Sequence, residues 1–106
     1  EGTTVLLLDD LIASGETMVR AATALRLAGA RDVVAFAAHG LFTGEACRLL
    51  GDPAISRVVV TNSVPSFRVP ADSALAGKLV VVSTAALFSL AISQRCASLP
   101  ATPPLR

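Results

Sequence analysis

A chain of 106 residues is one domain or part of one, and 53% hydrophobic against 16% charged residues suits a buried α/β core rather than a disordered segment. The formal net charge is +1, and the nine Lys and Arg are scattered, which leaves no basic stripe for a nucleic-acid backbone. No apolar run approaches the ~20 residues of a membrane span, and no basic segment followed by a cleavage site opens the chain.

In chain order, Thr3–Asp9 reads as a strand buried on both faces, because it is a nearly continuous apolar run. Ser14 is placed to cap a helix over Gly15–Ala28. Arg20, Thr23 and Arg26 recur at helical spacing as its wet face, with Met18, Ala22, Leu25 and Ala28 turned toward a sheet. Gly29 supplies the C-terminal stop. Asp32–Ala38 is a second strand, ending at His39-Gly40, and Gly44–Leu50 a short helix closed by Gly51-Asp52-Pro53. Arg57–Thr61 is a third strand. Residues 62–77, with Pro65, Pro70 and Gly77, form an irregular loop. Lys78–Val82 is a fourth strand, and Ser83 caps a last helix running to about Arg95. The Pro-rich tail, residues 98–106, is loose and lies apart from a domain over residues 1–97.

Strands alternating with helices predict a mainly parallel α/β sheet with helices on both faces, whose ligands lie beyond the carboxyl ends of the strands. That rule selects four tips: Asp9-Asp10, His39-Gly40, Thr61-Asn62-Ser63 and Ser83-Thr84. The chain opens at Glu1 and enters a core-type strand almost at once. A central parallel strand has neighbours on both sides, so the fold reads as incomplete at its N-terminus.

The stretch 5–18, VLLLDDLIASGETM, carries the most chemistry. Asp9 and Asp10 at a strand tip are suited to accept from vicinal hydroxyls or to share a divalent metal. Geometry alone allows equally a loop-capping acid beside a solvated one. Ser14, Gly15, Glu16 and Thr17 offer free N–H groups and two hydroxyls at a helix start, the ingredients of a phosphate seat and also of an ordinary N-cap. His39, the single histidine, reads as a satisfied loop residue. Thr61, Asn62 and Ser63 read as holding loop structure, with the Asn62 amide able to tie the first loop. Phe36, Phe42, Phe67 and Phe88 read as packing rather than a base-stacking platform. Cys47 and Cys96 lack CxxC spacing and read as reduced thiols of an intracellular protein. One His and two isolated Cys do not make a zinc site.

VLLLDDLIASGET resembles the phosphoribosyl-pyrophosphate (PRPP) motif of the type I phosphoribosyltransferase fold, in which a strand runs into two acids and then a phosphate loop. By that resemblance Asp9 and Asp10 meet the ribose hydroxyls, and Ala13, Ser14, Gly15, Glu16 and Thr17 wrap the 5′-phosphate. AAHGLFTG at 37–44 is similar to the THGxFxG segment of ribose-phosphate pyrophosphokinases. RVVVTNSVP at 57–65 resembles their VVVTNT-I-P segment, and KLVVVSTAALFSLAI at 78–92 their closing strand and helix. The similarity runs from about residue 4 to residue 95. Two positions depart from the family pattern: Ala13 stands where an acid or Ser is usual, and Glu16 where Gly is usual. The family ending is also replaced by CASLPATPPLR.

The resemblance implies the C-terminal phosphoribosyltransferase-like domain of a ribose-phosphate pyrophosphokinase, binding ribose 5-phosphate or PRPP in a cytoplasmic homo-oligomer. It implies Mg2+, with Asp9 and Asp10 as metal acceptors, and ATP bound mainly by a missing N-terminal domain. It implies pyrophosphoryl transfer from ATP to ribose 5-phosphate by the parent, with these residues inactive alone. Two related readings are a base-transferring phosphoribosyltransferase and a non-catalytic regulatory relative. A phosphoacceptor receiver domain is disfavoured, because Lys78 starts its strand rather than ending it. Nucleic acid and membrane are not expected partners.

Overall fold

The structure, a computed structural model, describes residues 2–66 and 68–98. Phe67 and residues 99–106, which include nearly all of the expected tail, lie outside the described residues. The elements run β1 (Thr4–Ile12), α1 (Glu16–Leu27), β2 (Asp32–Gly40), α2 (Ala46–Leu49), β3 (Arg57–Thr61), β4 (Leu79–Val82) and α3 (Ala85–Ser98). All three strand pairings are parallel, in the spatial order β1-β2-β3-β4.

Alternate strand residues tell the two sheet faces apart. Val33, Ala35 and Ala37 of β2 and Val58 and Val60 of β3 are buried, and they form one core with Met18 and Ala22 of α1 and Ala46 of α2. Full burial of each valine contributes about 1.5–3 kcal/mol. The intervening residues face the other way: Leu6 is 56% and Leu8 77% exposed, while Phe36 and Val59 are half-buried. The covering helices therefore share one face, which corrects the expectation of helices on both. With strands in sequential order, right-handed crossovers all pass over the same side. β1 is an edge strand with an open face, not a strand buried on both. Among the described residues the helix α3 packs on no other element, and Leu87, Phe88, Leu90 and Ile92 along it are exposed.

β1 runs past its expected end at Asp9 to Ile12, while β2 closes at Gly40 as expected. Leu11 pairs with His39 and Ile12 with Gly40, so Asp9 and Asp10 lie within β1 rather than at its tip. The predicted cap of α1 is displaced too. The N-cap is Gly15, at φ 84° and without a side-chain cap bond, so Ser14 lies one residue too early. Gly29, at φ 105°, closes α1 as expected: its N–H bonds Arg26 O and the Ala30 N–H bonds Leu25 O, each at 3.0 Å. Gly44, at φ 57°, delays α2 to Ala46. Ser83 does help to start α3, accepting from the Ala85 N–H at 3.3 Å.

Arg26 is not simply a wet-face residue. Its guanidinium donates to Ala54 O at 2.9 Å, Pro53 O at 3.3 Å, Ser56 Oγ at 2.9 Å and Arg31 O, tying α1 to the turn before β3. Lys78 grips the same turn, its ammonium donating at 2.7 Å to Asp52 O and to Ile55 O. Partial burial there pulls the Lys78 pKa below its usual value, opposed by the nearby Asp52 charge.

Candidate functional site

The loop from β1 into α1 encloses a cavity of about 170 Å³, lined by Asp9 and by residues 11–18. Asp9, Ala13, Ser14, Gly15, Glu16 and Thr17 thus meet at one place. Asp10 does not line it, because consecutive strand residues point to opposite faces. The Asp9 carboxylate accepts the Asp10 N–H at 2.8 Å. Glu16 and Thr17 are exposed on the first turn of α1, where unpaired backbone N–H groups face outward.

Two supports set the loop's shape. Beneath it lies Leu50, fully buried; a Cβ at Gly15 would meet Leu50 Cγ at 2.7 Å. Beside it runs the segment after β2, whose N–H groups bind the loop's carbonyls. Leu41 N–H reaches Ile12 O at 2.9 Å, Phe42 N–H the same oxygen at 3.4 Å, and Thr43 N–H Ala13 O at 2.9 Å. Phe42 is 3% exposed and adopts φ 54°, an uncommon conformation for a bulky residue. Its ring lies over Gly40, where a Cβ would meet Phe42 Cε2 at 2.6 Å. In the sequence HGLFTG is a point of resemblance, and Phe42 reads as packing, which its burial bears out. The close-set Gly40 and Gly44 were the available signal that this segment turns tightly against something.

The remaining tips are tied together by hydrogen bonds. His39 Nδ1 is 2.7 Å from Ser63 Oγ, and the Thr61 and Ser63 hydroxyls donate to Ala38 O at 2.5 and 3.2 Å. Asn62 ties a different segment from the one expected: its Oδ1 accepts the N–H and hydroxyl of Thr84, both at 3.0 Å, anchoring the entry to α3 instead of the first loop. Among the described residues no group of three or more His, Cys, Asp and Glu is placed to hold a metal. Mg2+ asks less of a protein, one or two carboxylates plus water and phosphate oxygens, and the Asp9 carboxylate beside a phosphate-sized cavity fits that pattern.

The sequence profile of the phosphoribosyl synthetase-associated domain matches residues 1–96. The chain belongs to that family. Ribose-phosphate pyrophosphokinase from Helicobacter hepaticus is 38% identical over 96 residues, covering 91% of this chain and 29% of the relative. The Aquifex aeolicus enzyme is 39% identical over 92 residues, 87% and 28% of the two chains. The Haemophilus ducreyi enzyme is 48% identical over 60 residues, 57% and 19%. The crystal structure of phosphoribosylpyrophosphate synthetase from Mycobacterium smegmatis superposes with a TM-score of 0.77 at 32% identity, covering 93% of this chain and 32% of that one. This phosphoribosyl synthetase-associated domain therefore has the phosphoribosyltransferase-like α/β fold, and it spans 19–29% of the length of these curated relatives. No helix among the described residues is long and apolar enough to cross a membrane.

Proposed function

We propose that this domain is the ribose 5-phosphate and PRPP seat of a ribose-phosphate pyrophosphokinase. The observation that carries the reading is the convergence of Asp9 with the loop 13–17 on one cavity at the N-terminus of α1. A sugar phosphate needs both halves of that arrangement. Asp9 accepts from ribose hydroxyls, while loop N–H groups and the Ser14 and Thr17 hydroxyls donate to the 5′-phosphate. Leu50 and the segment 41–43 hold the loop in shape, so little ordering is left for binding to drive.

The parent reaction moves a pyrophosphoryl group from ATP to the 1-hydroxyl of ribose 5-phosphate. Mg2+ held by Asp9 with water and phosphate oxygens would neutralise phosphate charge. In this reading the domain fixes the acceptor sugar, and a separate part of a cytoplasmic homo-oligomer binds ATP. Alone, the 106 residues are then inactive. Calorimetry with ribose 5-phosphate tests the seat: binding should weaken at least tenfold in Asp9→Asn and several-fold in Thr17→Ala. Absence of binding by the folded wild-type chain would contradict it.

A regulatory, non-catalytic parent is a second reading, favoured by the Glu16 carboxylate lining the cavity and by the short Ala13 side chain. PRPP formation from ATP and ribose 5-phosphate by the full-length parent separates the two.

A further inference from the structure

The charges around the loop cavity are one-sided. Asp9 and Glu16 both line it, and among the described residues no Lys or Arg does. The ion pairs found among the described residues are Arg31 with Asp32 and Arg48 with Glu45, so neither cavity carboxylate is neutralised by a partner. Arg20 follows Glu16 by one turn, a spacing that favours pairing. The two form no ion pair, although Glu16 and Arg20 both border the groove along α1 with Thr23 and Leu49; Arg20 does not reach the loop cavity, which Glu16 also lines. The attraction available to an anion is therefore the α1 N-terminus, equivalent to about half a positive charge, and it faces a full negative charge on Glu16 in the same turn.

We propose that Glu16 is a specificity-determining residue that holds down the loop's affinity for a doubly charged phosphate while leaving recognition of the sugar untouched. The inference rests on the ribose 5-phosphate reading and adds to it the residue that sets binding strength. Neutral ligand groups reaching Asp9 gain or lose little from this charge, because a group without net charge has no first-order Coulomb interaction with it. A phosphate seated on the N–H groups of residues 15–17 feels it at close range, where unlike screening lengths in dilute and concentrated salt separate electrostatic from steric effects.

The test compares the wild-type 106-residue chain with Glu16→Gln, a near-isosteric change at an exposed position. Binding of ribose 5-phosphate and of ribose is titrated by calorimetry in 20 mM and 300 mM KCl. The expected result is about threefold to tenfold tighter binding of ribose 5-phosphate by Glu16→Gln in low salt, a smaller gain in high salt, and no change for ribose. Equal or weaker binding of ribose 5-phosphate by Glu16→Gln, with the wild type binding measurably, overturns the role of Glu16 and leaves the seat intact. An equal gain for ribose overturns it as well, since the effect would then be steric. Failure of both folded proteins to bind ribose 5-phosphate overturns the seat itself, and the role of Glu16 with it.

Discussion

Gly15 rests on Leu50 so closely that a single added carbon would sit 2.7 Å from Leu50 Cγ and 2.8 Å from Cδ2. The same glycine is the left-handed N-cap of α1, and Leu50 follows the last residue of α2. One contact therefore joins the backbone geometry of the loop to the buried core.

Gly15→Ala should destabilise the domain by about 1–3 kcal/mol, from overpacking and from an alanine held at φ 84°. Leu50→Ala alone should cost about 2–5 kcal/mol as a cavity mutant. The double variant should be less unstable than the sum of the two, because the smaller residue removes the clash but not the backbone strain. Urea unfolding of the four proteins measures this, and strict additivity would show that the contact is not tight in solution.

Arg26→Gln should lower stability by about 1–2 kcal/mol, because the guanidinium satisfies three carbonyls and Ser56 Oγ at once. Arg26→Lys should recover little of the loss, since a point charge cannot reproduce the planar fork. Thermal unfolding of both variants provides the check.

Asp32 gives the acid side of the stability profile a specific cause. Its hydrogen bond to Arg31, aided by that residue's charge, by Ser56 and by Arg26, holds its pKa below the usual 3.8, against a smaller opposing effect of desolvation. A carboxylate with a depressed folded-state pKa adds stability that is fully present above 3.8 and is lost as pH falls through the lower folded value. Asp32→Asn should therefore flatten the fall in stability below about pH 4 and leave the slope between pH 6 and 8 unchanged. Urea midpoints measured from pH 2.5 to 8 test the sign.

Much of this fold is legible in the sequence where the signal is local. RVVVT marks β3 to the residue, because a short β-branched run bounded by Pro53 and Asn62 has no competing reading. Gly29 ends α1 where expected, because a left-handed C′ position selects glycine. The expectations that missed depend on partners distant in the chain. β1 runs past two acids because the backbone of β2 continues to Gly40 beside it. Arg26 looks like solvent-facing periodicity until the turn at 53–56 is folded beneath it. The candidate site is legible in the sequence as Asp9, Asp10 and the loop 13–17, of which Asp10 falls outside the cavity. Its supports, Leu50 and the N–H groups of residues 41–43, are not, since no local pattern announces a tertiary contact.

The central claim is that Asp9 and the loop 13–17 form one seat for a sugar phosphate. Amide NMR of the 15N-labelled 106-residue chain, titrated with ribose 5-phosphate, tests it most directly. The account predicts saturable shifts concentrated at the amides of Ser14, Gly15, Glu16 and Thr17, with ribose alone moving Asp9 and Asp10 but not the loop, and with both responses weakened in Asp9→Asn. A folded domain whose loop amides stay unmoved at millimolar ribose 5-phosphate, or move equally with ribose, would contradict it.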